Sequence, residues 1–465
     1  IGSGFAGLSA ALEAASQPSR PSVALIEKMP HFGGNSLWNG GQLAAVGSTE
    51  QAALGVRDSF ELMEKDMIDA GRGFNHVHLV RTLVTRSNET AEWARTHLGV
   101  KFRERLSHLG GHSVPRTLCT INSCGADIIE PMLERLRAMD NVQMVTGTSV
   151  LSLLTDGRRV SGVCICATAD ADSVTRQTSR LYCRQAVILA AGGFGADITF
   201  RALQNPTFGK GVMTTNHPGA TAQALRAALR AGAMPVQLSH IQLGPWTSPD
   251  EERFGNVPLF CMGAGFPYGI LLDPSTGSRF VNEMGNRFVR SEAILSLGRP
   301  AVCFTDAKGA KHSLTKSLDN LHPAIRRHET LDQLAACYGM DAAKVAQAVG
   351  DYNQGVLLGC DAFGKTLRPS AQPICEPPFY SARLWPKVHH TCGGVAIDDN
   401  AAVLDLDGQR IPRLYAAGEI VGGVHGADRL GSCATTECLL FGRIAGSAAS
   451  RETRLIEVDD EEEGY

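Results

Sequence analysis

The chain has 465 residues, of which 43% are hydrophobic and 20% are charged, and its formal net charge is −3 at pH 7. This length suffices for two or three domains with a sizeable core, and the composition is typical of a globular protein. A net charge this small gives no reason to expect nucleic acid or a membrane surface as a partner. No apolar run of about eighteen residues predicts a transmembrane segment.

The 13 cysteines are scattered along the chain without CxxC, CxxCH or Cys/His spacing. This pattern favours free thiols in a reducing compartment over a disulfide framework or a metal site, and no metal is predicted. The absence of CxxCH also argues against a covalent c-type haem in this segment. The compartment stays open, with the cytoplasm favoured.

The chain begins with a glycine-rich turn, in which Gly2, Gly4 and Gly7 have the spacing GxGxxG. Glu27 follows twenty residues after Gly7, at the end of an apolar run. This combination predicts the phosphate turn and the ribose-binding acid of a dinucleotide-binding βαβ unit. The pyrophosphate would lie at the positive end of a helix over 6–15.

The first strand of such a unit needs about five apolar residues before the first glycine, and here only Ile1 precedes it. We therefore expect the natural polypeptide to continue upstream. At the other end, residues 458–465 form an acidic run that predicts a solvated linker or tail. The chain is interpreted as one catalytic module of a longer polypeptide.

The first half of the chain alternates between helical and strand patterns. A Gly/Asn/Ser-rich loop spans 31–49, and a period near 3.6 predicts helices over 58–63, 78–96 and 126–138. Residues 141–167 alternate like paired strands, with Asp156-Gly157 as a hairpin turn. The apolar run 185–194 ends in glycines and predicts a buried parallel strand that brings its end to a ligand.

The second half begins with a helix predicted over 221–231. Residues 234–389 are Pro-rich, with short strands and one helical stretch over 331–354, whereas 415–419 predict a strand and 435–451 a helix. The simplest architecture is an α/β fold with a discontinuous Rossmann-like domain and an inserted α+β capping domain. The predicted boundaries are 1–235 and 389–451 for the Rossmann-like domain, 236–388 for the cap, and 452–465 for the acidic segment.

Six segments match, in order, the motifs of one known family. They are the opening turn with Glu27-Lys28-Met29-Pro30 and Gly33-Gly34-Asn35-Ser36, then 190–194, 215–221, 277–283 with Arg287, 388–395, and 418–431. Together they resemble the flavoprotein family of fumarate reductase and succinate dehydrogenase. The branch that looks closest is that of the soluble flavocytochrome c-type fumarate and urocanate reductases.

The resemblance implies FAD as the cofactor. The glycine pairs at 33–34 and 192–193 would offer backbone N–H groups to phosphate and flavin, and Glu419 would meet the ribityl hydroxyls. The FAD-binding residues carried over from the motifs and their surroundings are Gly2, Gly4, Phe5, Ala6, Gly7, Glu27, Lys28, Gly33, Gly34, Asn35, Ser36, Asn39, Gly40, Gly41, Val150, Ala191, Gly192, Gly193, Asn216, Thr221, His389, Gly418, Glu419, Arg429, Ser432, Ala434 and Thr435.

The reaction that the resemblance implies is the reduction of a C=C bond beside a carboxylate. The reduced flavin would give a hydride from N5 to one carbon, an acid would protonate the other, and fixed positive charge would hold the carboxylate. Arg429 and His390 are the candidate carboxylate ligands, since a guanidinium matches a carboxylate in shape. The alternatives are a surface ion pair of Arg429 with Asp428, and His389 as the ligand instead of His390.

Arg287 is the candidate proton donor, carried over from the arginine acid of the family. Because a free arginine has a very high pKa, transfer would have to be coupled to hydride arrival. Gln242 stands where the family has a polar residue beside this arginine. The alternative is a charge on a helix surface, near Arg290 and Glu292.

The chain departs from the family at the far end of the substrate site. Gly244 replaces the histidine that holds a second carboxylate, the threonine and relay glutamate are replaced within 260–262, and the relay arginine falls at Gly265. A second buried carboxylate would therefore lack a cation, which costs several kcal/mol. We expect a monocarboxylate substrate with an apolar or aromatic tail, held by Trp246, Phe260, Met262 and Phe266.

A second departure follows Thr221, where Ala222-Gln223-Ala224 replaces Gly-Asp-Gly and leaves the nearby FAD contacts open. Several functions remain possible: a fumarate or urocanate reductase proper, a dehydrogenase that runs in the desaturating direction, and a non-enzymatic flavin electron-transfer or sensor module. The electrons would come from a domain or protein outside this segment, linked to FMN, haem or NADH.

Overall fold

The structure is a computed structural model that describes residues 1–173, 175–313 and 323–453. The predicted acidic segment 452–465 lies outside these residues except for its first two positions. In the described ranges, no helix is both long enough and apolar enough to cross a membrane.

The first half of the chain alternates helices with short strands. Its elements are α1 (Phe5–Ala15), β1 (Val23–Ile26), α2 (Gly34–Leu37), β2 (Gln42–Ala44), α3 (Thr49–Ala53), α4 (Phe60–Ala70), α5 (Val77–Thr85), α6 (Ser87–Leu98), β3 (Thr117–Cys119), α7 (Ala126–Arg137), β4 (Val142–Val145), β5 (Thr148–Asp156), β6 (Arg159–Ala167), β7 (Ser179–Tyr182), β8 (Val187–Leu189), α8 (Ile198–Gln204), α9 (Gln223–Arg230) and β9 (Pro235–Val236).

The second half holds an antiparallel sheet with its helices and then returns to the first half. Its elements are β10 (Ile241–Gly244), α10 (Val257–Phe260), α11 (Phe266–Tyr268), β11 (Ile270–Leu272), α12 (Arg287–Ser296), β12 (Ala301–Thr305), α13 (Ala307–Ala310), β13 (Ile325–His328), α14 (Leu331–Tyr338), α15 (Ala342–Leu358), β14 (Phe379–Leu384), β15 (Lys387–Thr391), β16 (Gly394–Val395), β17 (Ala402–Leu404), β18 (Arg410–Ala416) and α16 (Cys433–Ala449).

Two pairs of parallel strands organise the nucleotide-binding part: β1 pairs with β4, and β8 pairs with β18. Ile1 lies between them, because its backbone bonds to Ile188 and Ala190 of the β8 segment while Gly2 N donates to Ile26 O at 2.8 Å. The glycine turn, the end of β1 and the end of β8 therefore meet at one edge. Ligands of open α/β folds bind at this kind of edge.

The helix that follows the glycine turn, α1, is buried along most of its length. It packs along α16 at close range, because α16 presents glycines to it. A Cβ at Gly442 would lie 2.5 Å from Ala6 O, and one at Gly446 would lie 2.3 Å from Ala10 O. Small residues at these two positions thus let the first and last helices touch backbone to backbone.

The capping part is built on a four-stranded antiparallel sheet in the order β11-β12-β14-β13. Two hydrophobic clusters, formed by residues between 246 and 385, cover its faces. The other two clusters combine residues from the beginning and the end of the chain. This separation fits an inserted cap, while the boundaries at 235/236 and 388/389 remain predictions.

Most predicted elements form, and the differences are helix breaks and one strand pairing. The helix predicted over 78–96 is divided at Arg86 into α5 and α6, and the stretch over 331–354 is divided at Gly339, where φ is 67°. The Asp156-Gly157 hairpin joins β5 to β6, but β4 pairs with β1 instead of β5. Parallel pairing with a distant strand cannot be distinguished from hairpin pairing by alternation alone.

A buried ion cluster fixes the loop that precedes β3. The side chain of Arg116 is fully buried and binds Asp58 at 2.9 Å and Asp66 at 2.5 Å, and both carboxylates are also buried. Nη1 of Arg116 also contacts Nδ1 of His112, whose Nε2 lies 2.9 Å from Gly431 O. The cluster thus connects α4 to the glycine-rich segment near 431.

We expect Arg116→Met to lower the free energy of unfolding by about 3–5 kcal/mol, because two buried carboxylates lose their partner. Urea unfolding of the purified protein measures this. Arg81→Met is the matched control, since Arg81 pairs with Glu64 on the surface and such pairs contribute little. Equal loss in both variants would contradict the cost assigned to burial.

Candidate active site

Two cavities meet at the edge where the parallel strands end. Five residues line both of them, so they form one continuous cleft: Phe5, Asn35, Ser36, Glu419 and Cys438. The first cavity extends along the glycine turn, and the second lies between that region and the cap. An elongated ligand can therefore reach from one to the other.

The first cavity gathers most of the residues predicted to bind a dinucleotide. Beyond the shared residues, it is lined by the predicted residues Gly2, Gly4, Ala6, Glu27, Lys28, Gly34, Val150, Ala191, Gly192, Thr221 and Gly418. Its other lining residues are not among the predicted cofactor ligands, although four of them lie within the matched segments 190–194 and 215–221. The other lining residues are Ile1, Ser3, Ile26, Thr148, Ala190, His217, Gly219, Ala220, Gln223, Ala224 and Ala417.

The acid at the end of β1 holds the glycine turn in place. The carboxylate of Glu27 accepts hydrogen bonds from Ser3 N at 3.1 Å, Ser3 Oγ at 2.6 Å and Met29 N at 2.9 Å. Next to it, Lys28 Nζ donates to Thr221 Oγ1 at 2.8 Å. Glu27 therefore shapes the turn as well as lining the cavity.

The tight packing of the turn explains why glycines are needed there. A Cβ at Gly2 would lie 2.3 Å from Ala190 O, and its φ of +95° is unfavourable for other residues. A Cβ at Gly7 would lie 1.8 Å from Gly2 O. The N-terminus of α1 can therefore approach a phosphate closely, and the donor set fits the dinucleotide FAD.

Four predicted cofactor residues support the cleft from behind instead of lining it. Gly7 packs against the turn, and Gly33 N donates to Ser3 Oγ at 3.0 Å. A Cβ at Gly41 would lie 2.1 Å from Thr120 Oγ1, and one at Gly193 would lie 2.1 Å from Thr391 Oγ1. These positions need glycine because neighbouring segments come close.

The second cavity brings together the three predicted catalytic side chains Arg287, His390 and Arg429. The predicted residues Asn39, Gly40, Asn216, His389, Ser432, Ala434 and Thr435 also line it. Its remaining lining residues are Trp38, Gln42, Thr215, Trp246, Phe254 and Met262. Residues from both ends of the chain and from the cap thus share one cavity.

Arg287 is the first residue of α12 and is held on two sides. Nη1 donates to Gln242 Oε1 at 2.7 Å, and the guanidinium stacks 4.3 Å from the centre of the Trp246 ring. Burial lowers the pKa of Arg287 well below its ordinary value, and the charge of Arg429 lowers it further. The alternative interpretation, a charge on a helix surface, does not describe this side chain.

His390 faces the cavity with one ring nitrogen. The register of β10 and β15 sets it opposite Gln242. Nδ1 lies 3.5 Å from Glu419 Oε2, whereas Nε2 is buried and has no hydrogen-bond partner among the described residues. Burial lowers the pKa of His390, although Glu419 opposes this.

Arg429 also keeps a donor free. Nη1 donates to Leu430 O at 3.3 Å, and Nε is buried without a partner in the described ranges. No ion pair with Asp428 is present in the same ranges, because that carboxylate accepts from Gln242 and from Phe288 N. The surface ion pair considered as an alternative is therefore not formed.

His389 lines the same cavity and is engaged through one ring nitrogen. Its Nδ1 lies 2.9 Å from Thr215 Oγ1, and its ring packs edge-on against Trp246 at 5.3 Å and near Phe254 at 6.2 Å. Burial lowers the pKa of His389 well below its ordinary value, and the charges of Arg287 and Arg429 add to this. His389 is therefore neutral.

The apolar end of the cavity differs in part from the prediction. Trp246 and Met262 line it as expected, but the prediction was wrong for Phe260 and Phe266, which are buried in the core of the cap. Phe254, which sequence reasoning missed, lines the cavity instead. Which aromatic side chain faces the cavity depends on how the backbone of residues 254–266 is oriented. The sequence contains no pattern that predicts this orientation.

The two glycines that replace family residues have different surroundings. A Cβ at Gly244 would lie 3.5 Å from both Trp246 and the Cβ of His389, so the tryptophan occupies the space beside it. A Cβ at Gly265 would lie 2.4 Å from Cys303 Sγ. A side chain at Gly265 would thus clash with Cys303, whereas a Cβ at Gly244 would make ordinary contacts with the tryptophan and the histidine.

Across the described residues, no group of three or more His, Cys, Asp or Glu side chains could hold a metal ion.

Comparisons with known proteins show which family the chain resembles. The sequence model of the FAD binding domain family matches residues 1–435 of the chain. The chain is 38% identical to the acrylate reductase flavoprotein subunit of Shewanella woodyi, over 96% of this chain and 89% of that protein. It is 31% identical to a urocanate reductase of Eggerthella lenta, over 97% of this chain and 74% of that protein.

Among solved structures, the open conformation of a flavocytochrome c3 fumarate reductase is similar, with a TM-score of 0.76 and 31% identity, over 97% of this chain and 77% of that chain. This likeness confirms the predicted α/β fold class, the resemblance seen in the motifs and FAD as the cofactor. The chain therefore belongs to the FAD-binding family of fumarate reductase-type flavoproteins and is an FAD-dependent oxidoreductase acting on CH–CH bonds.

Proposed function

We propose that the chain reduces the C=C bond of an α,β-unsaturated monocarboxylate whose tail is apolar. The observation that carries this proposal is the second cavity, in which Arg287, His390 and Arg429 share the lining with Trp246 and Phe254. One end of the cavity can bind an anion and the other end is apolar. The similarity to an acrylate reductase supports the same substrate class.

The carboxylate is assigned to His390 and Arg429. Both side chains are buried, and each has a ring or guanidinium nitrogen without a partner among the described residues. Buried donors without partners are costly and are expected to find an acceptor. A carboxylate with two oxygens can satisfy both groups at once.

The proton is assigned to the guanidinium of Arg287. When bound, FAD supplies the hydride that the reaction requires. Because Nη1 of Arg287 is held by Gln242, Nη2 is the group left for the substrate, and it lies on the side of Gly431. The lowered pKa of Arg287 makes proton release easier than from a solvated arginine.

The tail of the substrate is assigned to the aromatic end. A second carboxylate there would need its own cation, and the only other basic side chain lining the cavity in the described part of the chain, His389, is neutral. Burying an unpaired carboxylate costs several kcal/mol. This cost favours monocarboxylates over fumarate.

Electrons are proposed to arrive from a donor outside this segment, linked to FMN, haem or NADH. Support comes from the similar solved structure, which is a flavocytochrome.

A substrate panel tests the proposal directly. With the FAD-loaded protein reduced anaerobically, we expect acrylate and cinnamate to reoxidise the flavin with kcat/KM at least about tenfold above that of fumarate, since one unpaired buried charge costs more than about 1.4 kcal/mol. For urocanate we expect a kcat/KM between those of the monocarboxylates and fumarate. Faster turnover of fumarate than of both monocarboxylates would overturn the substrate class, and reoxidation by oxygen alone would favour an electron-transfer module.

The role of Arg287 is tested by Arg287→Ala. We expect kcat to fall by about 10²–10⁴-fold, the range for losing a general acid, while FAD remains bound by absorbance. Arg299→Ala is the control, because Arg299 is exposed on the same part of the cap. If Arg287→Ala keeps full activity, another group delivers the proton.

The pH dependence of anion binding tests His390. Burial lowers the pKa of free His390, with Glu419, Arg429 and His425 around it, and a bound carboxylate raises the pKa again. Between these two values binding takes up a proton, so affinity for propionate should fall as pH rises from 6 to 8, by at most about tenfold per unit. Flavin absorbance measures the Kd. His390→Gln should remove most of this dependence, and a wild-type Kd independent of pH would contradict it.

A further inference from the structure

One buried carboxylate beside the second cavity has no role in the function proposed so far. Asp428 stands directly before Arg429 and is 4% exposed. Its Oδ1 accepts a hydrogen bond from Gln242 Nε2 at 2.5 Å, and its Oδ2 accepts one from Phe288 N at 3.2 Å. Both carboxylate oxygens are therefore engaged by donors from the cap.

Both hydrogen bonds lead to the same side chain, Arg287. Gln242, which donates to Asp428, accepts from Nη1 of Arg287 at 2.7 Å. Phe288 is the residue after Arg287 in the first turn of α12. Asp428 thus holds the guanidinium through Gln242 and the backbone through the start of the helix.

Three arginine side chains surround the carboxylate of Asp428. Arg287, Arg290 and Arg429 all act on its carboxyl, while burial raises its pKa. In the described ranges none of the three lies within ion-pair distance of it. Its contribution to Arg287 is therefore made through the two hydrogen bonds and not through a direct contact.

The requirement for two acceptors is specific to a carboxylate. Gln242 Nε2 and Phe288 N are both donors, and an aspartate offers an oxygen to each. An asparagine offers one oxygen and one NH₂ group, and the NH₂ group would face a donor. An alanine would leave Phe288 N unpaired in the interior and would remove one of the two acceptors of Gln242 Nε2, which also donates to Arg429 O at 2.8 Å.

We propose that Asp428 is a positioning residue that fixes the Arg287 guanidinium for proton delivery, by holding Gln242 and the first turn of α12 at once. This inference rests on the proposed role of Arg287 as the proton donor. It also connects the two parts of the site, because Asp428 belongs to the last FAD-binding motif whereas α12 belongs to the cap. The orientation of Arg287, the proposed proton donor, therefore depends on Asp428, which directly precedes the proposed carboxylate ligand Arg429.

The experiment measures kcat and KM for acrylate, the Kd for propionate, FAD content and the urea midpoint of FAD-loaded variants. We expect Asp428→Ala to lower kcat by about 10–100-fold, the effect of misplacing a reacting group by about 1 Å. KM and the propionate Kd should change by less than about threefold, because His390 and Arg429 hold the carboxylate. Asp428→Asn should recover part of kcat, since it restores one acceptor.

A double-mutant cycle separates positioning from a general structural effect. Gln242→Ala removes one of the two routes by which Asp428 acts on Arg287, so the loss in kcat of the double variant should be smaller than the product of the two single losses. Multiplicative losses in kcat would overturn the proposal, and so would a loss in kcat that follows FAD content or the urea midpoint. An unchanged kcat in Asp428→Ala would also overturn it.

Asp306→Asn is the matched control. Asp306 is a buried aspartate of the cap that accepts from Gly309 N at 2.9 Å, caps α13 and lines neither cavity. Its kcat per bound FAD should equal that of the wild type. The Arg287→Ala variant distinguishes the two levels of failure. Retained activity there contradicts the proposed acid, whereas lost activity there with a normal Asp428→Ala contradicts only the positioning role.

Discussion

Positive charge held in the interior is the constraint on which this site depends. Arg287, Arg290 and Arg429 lie close enough to affect one another, and burial lowers the pKa of Arg287 and Arg290. The carboxylate of Asp428 lies among these three arginines. A cavity with this excess of buried donors is stabilised by a bound anion, so the same charges that are costly in the free protein favour an anionic ligand.

The charges can converge only because the cap closes on the nucleotide-binding part. Arg429 follows a glycine-rich motif at one end of the chain, whereas Arg287 begins a helix of the cap, and β10 pairs with β15 to bring Gln242 opposite His390. The glycine turn on the other side of the cleft is held by Glu27 and packed without side chains. The cofactor cleft and the anion cavity therefore share a wall, and a group bound along the first reaches the second.

The aromatic side chains of the cavity pack directly against its charged ones. Trp246 occupies the space beside Gly244, stacks on the guanidinium of Arg287 and contacts the ring of His389. One aromatic side chain thus contacts the guanidinium of Arg287 and the ring of His389 and fills the space beside Gly244 at once. Cys303 in turn fills the space next to Gly265, where a Cβ would lie 2.4 Å from its sulfur.

The amino-acid order alone determined the local features: the glycine turn with its acid, the helices of regular period, and the six motifs that identify the family and its cation-bearing residues. These are short-range patterns, and each depends on backbone conformation or on a spacing within about thirty residues. Only the tertiary structure decided that Nδ1 of His389 contacts Thr215 whereas Nδ1 of His390 faces Glu419, that Phe254 replaces Phe260 and Phe266 in the cavity, and that Asp428 bonds to Gln242. That last pair is separated by 186 positions, and contacts between segments so distant leave no periodicity or spacing in the sequence from which they could be inferred.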